Sequence, residues 1–415
     1  MAAGRGTIEV AAPEPGLSGA ELVRRAAALT ARVRAEQDEA ERRGRYSEGL
    51  HQAFVEAGLY RMVQPRRFGG YECDIPSFWQ AMVHIAAGDP GTGWCLTLGS
   101  HHAWLLGSHW PERAQRELFG PSGDFRGPHR PIPGGTAEPV EGGYLVSGTW
   151  DYCSGVPYAT HFIGNALLPP PESGPPPLPI VVVIPRAQFR VLDDWGGGAQ
   201  LGMQSSGSQS VSVERVFVPE HLVLVGDWTG ASSESSPGAA LHGNPMYLGK
   251  VWGIYHGGLV VAVVGAAKAA LSEFEQIITT RKTLFPPQVV RVEHYDYQRA
   301  WGLARGLIDS AEALLYHTGE RYMELCWRWA EQGQPFSLDD DNRLFGMLQQ
   351  AGRMASEAVE LLFSSGGSSA AKRGQRLQRY FRDVAMYRGH VAAQSVNFAS
   401  GFAKSHFGLA EPPRL

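Results

Sequence analysis

Several common site signatures are missing from this chain of 415 residues. It has no P-loop, no His-Glu-x-x-His, no Gly-x-Ser-x-Gly, and no Gly-x-Gly-x-x-Gly after a strand-like run. A P-loop NTPase, a zincin, a typical serine hydrolase and a nicotinamide-binding Rossmann domain therefore lose their main support. The chemistry of the chain has to come from other residues.

Cysteine is scarce, and charge of one sign does not dominate. The four cysteines show no Cys-x-x-Cys spacing, which predicts neither a disulfide framework nor a metal site; they are Cys73, Cys95, Cys153 and Cys326. We expect them to be small buried side chains in a reducing cytoplasm. The formal net charge of −4 gives no general reason to expect a nucleic acid partner.

Long apolar runs are also absent. Residues 1–16 lack the apolar core of a secretory signal, and the most apolar later run, Leu259 to Leu271, is interrupted by Lys268. That run is too short to cross a bilayer of about 30 Å as a helix. The sequence therefore predicts a cytoplasmic protein with no membrane partner.

What is present is a change of periodicity along the chain. Residues 1–17 form a loose tail, and residues 18–126 show the helical spacing of apolar residues. Runs of β-branched residues bounded by Gly and Pro then occupy 127–229. A Ser- and Gly-rich linker (230–245) leads to helical patterns over 246–415, with long stretches at 255–280, 292–331, 338–364 and 376–402. This order predicts an α+β protein: a helical domain, a small β-domain and a four-helix bundle.

Two polar turns in the β-domain could hold a flat ring. Gly148-Thr149-Trp150-Asp151-Tyr152-Cys153-Ser154-Gly155 ends a predicted strand in a Ser-Gly turn, which can present a hydroxyl and backbone N–H groups to the polar edge of such a ring. The second turn, Gly202 to Ser210, is rich in serine, and its hydroxyl and backbone donors can bind a phosphate group.

A third signature lies near the end of the chain, where Leu377-Gln378-Arg379-Tyr380-Phe381-Arg382-Asp383 runs on to His390. Together the signatures resemble the acyl-CoA dehydrogenase fold, in the branch of flavin-dependent monooxygenases of the p-hydroxyphenylacetate hydroxylase type. The dehydrogenase branch has a glutamate base shortly after the Arg-Asp pair, whereas residues 384–394 contain no acidic residue. This absence favours the monooxygenase branch. We expect Arg379, Arg382 and Asp383 to hold the bundle rather than to perform chemistry.

The resemblance implies a set of flavin contacts. Ser154 matches the serine near flavin N5, beside Trp150 and Gly155, and Ser206 and Ser208 match the Thr/Ser-Gly-Ser segment. Gln204 stands where the family usually has arginine, which leaves FMN and FAD both open. Arg281 belongs to an Arg-x-x-x-Phe segment that is expected to open a long helix. The resemblance implies that this arginine, together with Gly366 and Gly367, approaches the cofactor of a neighbouring subunit.

Two histidines and several aromatic residues complete the predicted site. His102 matches the family's His-x-Trp pattern and would help form the flavin peroxide or orient the substrate, with His101 as the alternative. His390 would act as the base on a substrate hydroxyl. The aromatic residues that could line the substrate pocket are Trp94, Trp104, Phe162, Trp252 and Tyr387, foremost Trp94, Trp104 and Tyr387.

The resemblance thus implies the oxygenase component of a two-component monooxygenase. It would take FMNH₂ or FADH₂ from a separate NAD(P)H:flavin reductase, bind O₂ as a C4a-peroxyflavin, hydroxylate a phenolic or polycyclic aromatic substrate, and assemble as a homotetramer. Three alternatives stay open: S- or N-oxygenation on the same fold, an FAD-dependent acyl-CoA dehydrogenase using Glu273 or Glu275, and a non-catalytic scaffold.

Overall fold

The first part of the chain is helical. The computed structural model describes residues 8–170, 173–174, 179–226, 228–229 and 236–409. The helices of this part are α1 (Gly19–Arg43), α2 (Glu48–Glu56), α3 (Ile75–Gly88), α4 (Pro90–His109) and α5 (Glu112–Phe119). The first four begin where a Ser or Asp side chain accepts a backbone N–H of the first turn, which satisfies a donor that the helix leaves free. These capping residues are Ser18, Ser47, Asp74 and Asp89.

Helix α4 crosses the interior of the molecule. All of its residues are buried except the partly exposed Leu98. Its hydroxyl side chains stay satisfied because they bond within the helix, as when Ser108 donates to the Trp104 carbonyl at 2.8 Å. Because α4 also carries Trp94, His101 and His102, these three side chains project into the interior.

A seven-stranded sheet follows the helical part. Its strands are β1 (His129–Val140), β2 (Gly143–Trp150), β3 (His161–Leu167), β4 (Ile180–Pro185), β5 (Arg190–Val191), β6 (Val211–Pro219) and β7 (Val223–Leu224). They lie in the order β5-β6-β2-β1-β3-β4-β7, with β1 and β3 parallel and the other pairs antiparallel. The pairing of β2 with β6, from Gly143 opposite Pro219 to Trp150 opposite Val211, places the ends of the two predicted polar turns side by side.

The last part of the chain is again helical. Its helices are α6 (Pro237–His242), α7 (Trp252–Tyr255), α8 (Gly257–Thr280), α9 (Tyr295–Gln332), α10 (Leu338–Gly366), α11 (Arg376–Gly389) and α12 (Ser395–His406). Helix α8 is the central one, since it packs against α3, α4, α9, α10 and α11. The expectation that the apolar run around Leu259 to Leu271 is too short for a bilayer was wrong on length, because the helical residues 252–280 are long and apolar enough to span a membrane. However, 89% of their most apolar window is buried inside the protein. The protein core accounts for their composition.

Two expectations for these helices were wrong. The predicted helix over 376–402 breaks at His390, which has an extended backbone (φ −69°, ψ 138°) between α11 and a short 3-10 turn. Arg281 does not open a helix; it follows the last residue of α8, and the next long helix begins only at Tyr295. Pro286 and Pro287 interrupt the segment after Arg281, and proline lacks the backbone N–H that a continuing helix requires. In the 376–402 segment the spacing of apolar residues continues past His390 and gave no sign of the break.

The segments predicted as tail and linker contain some ordered contacts. Val10 forms a bridge with Phe68, and Glu9 bonds Arg116 at 2.8 Å. In the linker, α6 and a 3-10 turn at 245–247 follow residues 230–235, which lie outside the described residues, as do residues 1–7. The exact domain boundaries stay predictions.

Candidate active site

A chain of hydroxyl groups connects α4 with the two polar turns. The indole nitrogen of Trp94 donates to Ser154 Oγ at 3.0 Å. Ser154 Oγ lies 2.7 Å from Ser208 Oγ, which lies 2.6 Å from Ser206 Oγ. The structure therefore brings four of the predicted site residues together, from segments more than fifty positions apart.

Backbone contacts hold the two turns against each other. Cys153 N–H donates to the Gln209 carbonyl and Gly155 N–H donates to the Gly207 carbonyl, both at 3.2 Å. Gly155 has a φ of 95°, and a Cβ there would stand 2.8 Å from the backbone nitrogen of Gly99 on α4. Only glycine fits such a conformation and approach, which explains the Gly after Ser154 in physical terms.

Two buried carboxylates hold the second turn in place. Asp89 accepts from Ser205 Oγ at 2.6 Å and from Arg379 at 2.9 Å, besides capping α4. Asp383 accepts the Met203 N–H at 2.6 Å, and burial raises the pKa of its carboxyl to about 7 against the lowering effect of Arg379. The Leu377–Asp383 motif thus positions the second turn, residues 202–210, which we call the flavin-type turn. This agrees with a supporting role for Arg379 and Asp383.

His102 has a fixed tautomer. Its Nδ1 lies 2.9 Å from the Gly127 carbonyl, which can only accept, so Nδ1 carries the proton and Nε2 keeps its lone pair. Burial lowers the pKa of His102 to about 4, so the ring is neutral at pH 7. The neighbouring His101 is fully buried, and neither of its ring nitrogens has a partner within the described part of the chain.

His390 has the opposite tautomer. The Ala392 N–H donates to His390 Nδ1 at 3.1 Å, so in the neutral ring Nε2 carries the proton. Burial lowers the pKa of His390 to about 4, and the nearby positive charge of Arg130 lowers it further. The ring lies edge-on to Trp94, with centroids 5.9 Å apart. His390 therefore lies beside the hydroxyl chain and presents a donor, not the lone pair that a base requires.

Sequence reasoning missed a third histidine. His129 Nε2 lies 2.9 Å from Asn165 Oδ1 and its Nδ1 lies 2.6 Å from the Tyr255 hydroxyl; its ring stands perpendicular to His102, with centroids 5.7 Å apart. The one available signal was Asn165, a residue that strands disfavour, within the otherwise apolar β3. His129 and its two hydrogen-bond partners come from β1, β3 and α7, so no local motif joins them.

The predicted aromatic residues are not all at the same place. Trp150 is buried and donates to the Asn165 carbonyl at 2.8 Å, and Trp104 is buried and donates to the Met246 carbonyl at 2.8 Å. Both contacts hold the core together. The Tyr387 hydroxyl lies 3.1 Å from His256 Nε2. Of the three foremost pocket candidates, Trp94 alone contacts the hydroxyl chain, and the pocket roles of Trp104 and Tyr387 stay predictions.

The remaining predicted cofactor contacts lie elsewhere. Arg281 donates to Ser369 Oγ at 2.5 Å, while Arg291 donates to the Gly366 carbonyl at 3.1 Å and approaches Gly367. Arg281 is separated from His256 by the 24 residues of α8, about 36 Å of helix. Within one chain, Arg281, Gly366 and Gly367 therefore form a second group, apart from the end of α8 that lies near His390.

Comparison with known proteins gives one family match and several relatives over nearly the whole chain. Residues 258–395 match the family described as "Acyl-CoA dehydrogenase, C-terminal domain". The chain is 29% identical over 395 residues to the flavin-dependent monooxygenase oxygenase subunit HsaA of Rhodococcus jostii, covering 92% of this chain and 97% of that protein. It is 27% identical to the FADH(2)-dependent resorcinol hydroxylase oxygenase component of a Rhizobium species, with 85% of each covered.

Solved structures share the fold. A 3-HSA hydroxylase from Rhodococcus sp. RHA1 superposes with a TM-score of 0.84 at 27% identity, over 95% of this chain and 98% of the other. XiaF from a Streptomyces species, in complex with FADH2 and glycerol, gives a TM-score of 0.84 at 22% identity, over 96% and 98%. The predicted α+β architecture of the acyl-CoA dehydrogenase type is confirmed.

Proposed function

We infer that this chain is a flavin-dependent monooxygenase of the acyl-CoA dehydrogenase fold, and we propose that it works as the oxygenase component of a two-component system. The names of its relatives confirm the predicted enzyme class, the reduced flavin and an aromatic substrate. They also imply a separate component that supplies the reduced flavin. The reductase itself, the choice between FMN and FAD, and the particular aromatic substrate stay open.

The hydroxyl chain is the observation that carries the proposal. Two hydrogen bonds join the hydroxyls of Ser154, Ser208 and Ser206, and they use two of the three O–H protons. One proton is left to donate to a further acceptor. The polar edge of a flavin ring offers such acceptors, so these residues fit the cofactor. When bound, reduced flavin supplies the electrons and carries the oxygen atom derived from O₂ that is transferred to the substrate.

The two tautomers assign complementary roles to the histidines. His102 Nε2 has a free lone pair and would accept the proton of a substrate hydroxyl, whereas His390 Nε2–H would donate a hydrogen bond to a developing negative charge. This reverses the roles expected from the sequence, in which His390 was the base. A phenol has a proton to give to His102 and a sulfide has none, so the geometry favours aromatic hydroxylation over sulfur oxygenation.

The two glutamates named for the dehydrogenase alternative lie far from the hydroxyl chain. Glu273 and Glu275 lie 16 and 18 residues after Gly257 along α8, roughly 24–27 Å from its start. Glu275 accepts a hydrogen bond from Trp301 instead. Of the buried carboxylates near the hydroxyl chain, Asp89 accepts from Arg379 and from the Thr92 N–H, whereas Asp383 accepts the Met203 N–H through Oδ1 and its Oδ2 has no partner among the described residues. A non-catalytic scaffold would need no ordered hydroxyl chain.

Assembly into a homotetramer is part of the proposal. Leu284, Phe285 and Tyr295 expose 76%, 77% and 70% of their surface on one side of a groove of about 920 Å³ between α9 and α10. Clustered apolar exposure of this kind indicates a protein interface. Because Arg281 lies beside this segment and far from the N-terminal end of α8, it can reach a flavin only across such an interface.

The first experiment is an anaerobic titration with FMNH₂ and FADH₂, followed by O₂ with and without a panel of phenols. The expected result is tight binding of at least one reduced flavin and hydroxylated product, with little H₂O₂ released when the right substrate is present. Failure to bind either reduced flavin would overturn the proposal. Binding with complete loss of the oxygen as H₂O₂, whatever aromatic substrate is offered, would argue against hydroxylation.

A further inference from the structure

His256 and Tyr387 form a buried pair between α8 and α11. The His256 ring, just before α8, is 1% exposed, and its Nε2 lies 3.1 Å from the Tyr387 hydroxyl. Its Nδ1 is buried and has no hydrogen-bond partner among the described residues. A buried ring nitrogen without a partner is costly, so this atom is one that a ligand or a transferred proton could use.

The pair lies on the face of α8 that meets α10 and α11, next to the segment that carries His390. Tyr255, next to His256, holds His129, and a Cβ at Gly258 would stand 3.0 Å from His101 Nδ1. On α11, the Tyr387 carbonyl accepts the His390 N–H at 2.9 Å. The histidines of the site therefore surround the start of α8 on both sides.

The other end of the pair reaches a polar cleft. This cleft, between α10 and α11, has a volume of about 260 Å³, and its lining includes Gln349, Arg353, Ser356, Glu357 and Tyr387. A Cβ at Gly352 would stand 2.0 Å from the Tyr387 hydroxyl oxygen. Because Gly352 lies on α10 between the lining residues Gln349 and Ser356, the hydroxyl reaches α10 at the level of the cleft.

Few charges face the imidazole of His256. Tyr387 from α11 forms a hydrogen bond with it, and Phe345 from α10 packs on it with ring centroids 4.9 Å apart. Burial lowers the pKa of His256, and a positive charge on His390 lowers it further. Asp341, also on α10, is bonded to the Gly253 N–H rather than to the ring. In the cleft, Arg353 and Glu357 pair with each other. The Tyr387 hydroxyl, which lies at hydrogen-bond distance from Nε2, is thus the group with which the His256 ring can exchange a proton.

We propose that His256 and Tyr387 relay protons between the active site and the cleft. The inference rests on the proposed function, because hydroxylation releases and consumes protons in a site that must exclude bulk water. A proton from the site binds His256 Nδ1, the Nε2–H proton passes to the Tyr387 oxygen, and Tyr387 gives its own O–H proton to water in the cleft. One proton crosses and both side chains end neutral, with His256 left as the Nδ1–H tautomer. Uptake is the reverse transfer, and it restores the Nε2–H tautomer for the next release.

The test uses Tyr387→Phe, which keeps the ring and removes the hydroxyl. Tyr316→Phe is the matched control, since its partly buried hydroxyl bonds Glu312 within α9. We expect Tyr387→Phe to leave the dissociation constant for reduced flavin within about twofold and to slow product formation at least tenfold, with a changed solvent deuterium isotope effect. A positioned proton-transfer group is worth roughly 10²–10⁴-fold. His256→Gln should have the same effect, and the double variant should be no slower than either single one.

A second readout needs no flavin. In protein labelled with ¹⁵N-histidine, loss of the Tyr387 hydroxyl should shift the His256 Nε2 resonance, and Tyr316→Phe should not. Wild-type product formation and isotope effect in Tyr387→Phe would overturn the relay. An equal loss of flavin affinity and rate would overturn it too, because it would show a structural contact. If wild-type protein binds no reduced flavin, the proposed function fails first, and the resonance shift then reports only the hydrogen bond.

Discussion

At the scale of single residues, the two histidines differ in which nitrogen is free. The Gly127 carbonyl fixes the proton of His102 on Nδ1, and the Ala392 N–H fixes the lone pair of His390 on Nδ1. One ring therefore presents an acceptor and the other a donor, although burial keeps both neutral at pH 7. The backbone, and not the residue type, decides which one can act as a base.

His102→Gln tests the base directly. We expect it to slow hydroxylation of an un-ionised phenol about 10²–10⁴-fold and to slow a phenol already ionised at the assay pH much less, because the second substrate has no proton to lose. His390→Gln, which keeps a donor, should affect both phenols alike. Product and H₂O₂ measured per flavin oxidised would check this. Equal losses for both phenols in His102→Gln would contradict the assignment.

Ser154→Ala tests the hydroxyl chain. It leaves the Trp94 indole N–H without its acceptor and Ser208 with one hydrogen bond fewer. In the proposed site the Ser154 hydroxyl itself contacts the N5 side of the flavin, so the variant also loses one net hydrogen bond to the cofactor, worth about 0.5–1.5 kcal/mol. We therefore expect reduced flavin to bind roughly 3- to 10-fold more weakly in an anaerobic titration. The control is Ser364→Ala, whose exposed hydroxyl bonds only its own helix, and which should bind flavin as the wild type does.

At the scale of elements, α11 holds the flavin-type turn through Arg379 and Asp383, while the chain stops being helical at His390. The Ser-Gly turn after β2 could be predicted, because a β-branched run followed by Ser-Gly is a local pattern. The break at His390 could not, because apolar residues keep helical spacing beyond it. Nor could the His129, Asn165 and Tyr255 contacts, which join residues 36 and 126 positions apart.

Asp89→Ala should be among the most destabilising single changes. It would leave Arg379, whose side chain is 4% exposed, without its fully buried partner and with only the more exposed Glu41 and Asp38, and it would release Ser205 and the cap of α4. Breaking a buried pair costs about 3–5 kcal/mol in the free energy of unfolding, which urea denaturation would measure. Asp38→Ala removes a partner of the same arginine that is 75% exposed and should cost less than about 1 kcal/mol.

At the scale of the whole molecule, buried histidines outnumber buried acids. Burial lowers the pKa of six histidines to about 3 or 4, namely His102, His129, His161, His242, His256 and His390. It raises the pKa of Asp341 and Asp383 to about 7. The two groups have opposite effects on stability as the pH changes.

We expect the protein to lose stability on acidification from pH 7 to pH 5. Below pH 6.5 these six histidines bind protons in the unfolded chain but stay neutral in the folded protein. Each of them therefore lowers the free energy of unfolding by up to about 2 kcal/mol at pH 5. The two aspartates are protonated in the folded state and oppose this trend, but they are fewer. Differential scanning calorimetry should show the midpoint of unfolding fall by roughly 5–10 °C. A midpoint that rises toward pH 5 would contradict the balance.

Phe285→Ser tests the proposed assembly. Removing an apolar ring from the exposed segment beside the groove should shift the protein from tetramer to smaller species in light scattering after gel filtration. Val396→Ser, which removes an apolar side chain that is 82% exposed on α12, serves as the control and should not change the mass. A wild-type protein that is already monomeric would end the proposal of a tetramer.

The helix break at His390 has a consequence for evolution and for protein engineering. Everything that holds the flavin-type turn lies before it, whereas α12 beyond it is attached to the bundle largely through Phe398, which packs against Trp252 and Phe345. A recombination point between Gly389 and Ser395 would exchange the terminal segment of one relative for that of another while leaving Arg379 and Asp383 untouched. Such an exchange would therefore renew the terminal helix while the contacts that hold the flavin-type turn are inherited unchanged.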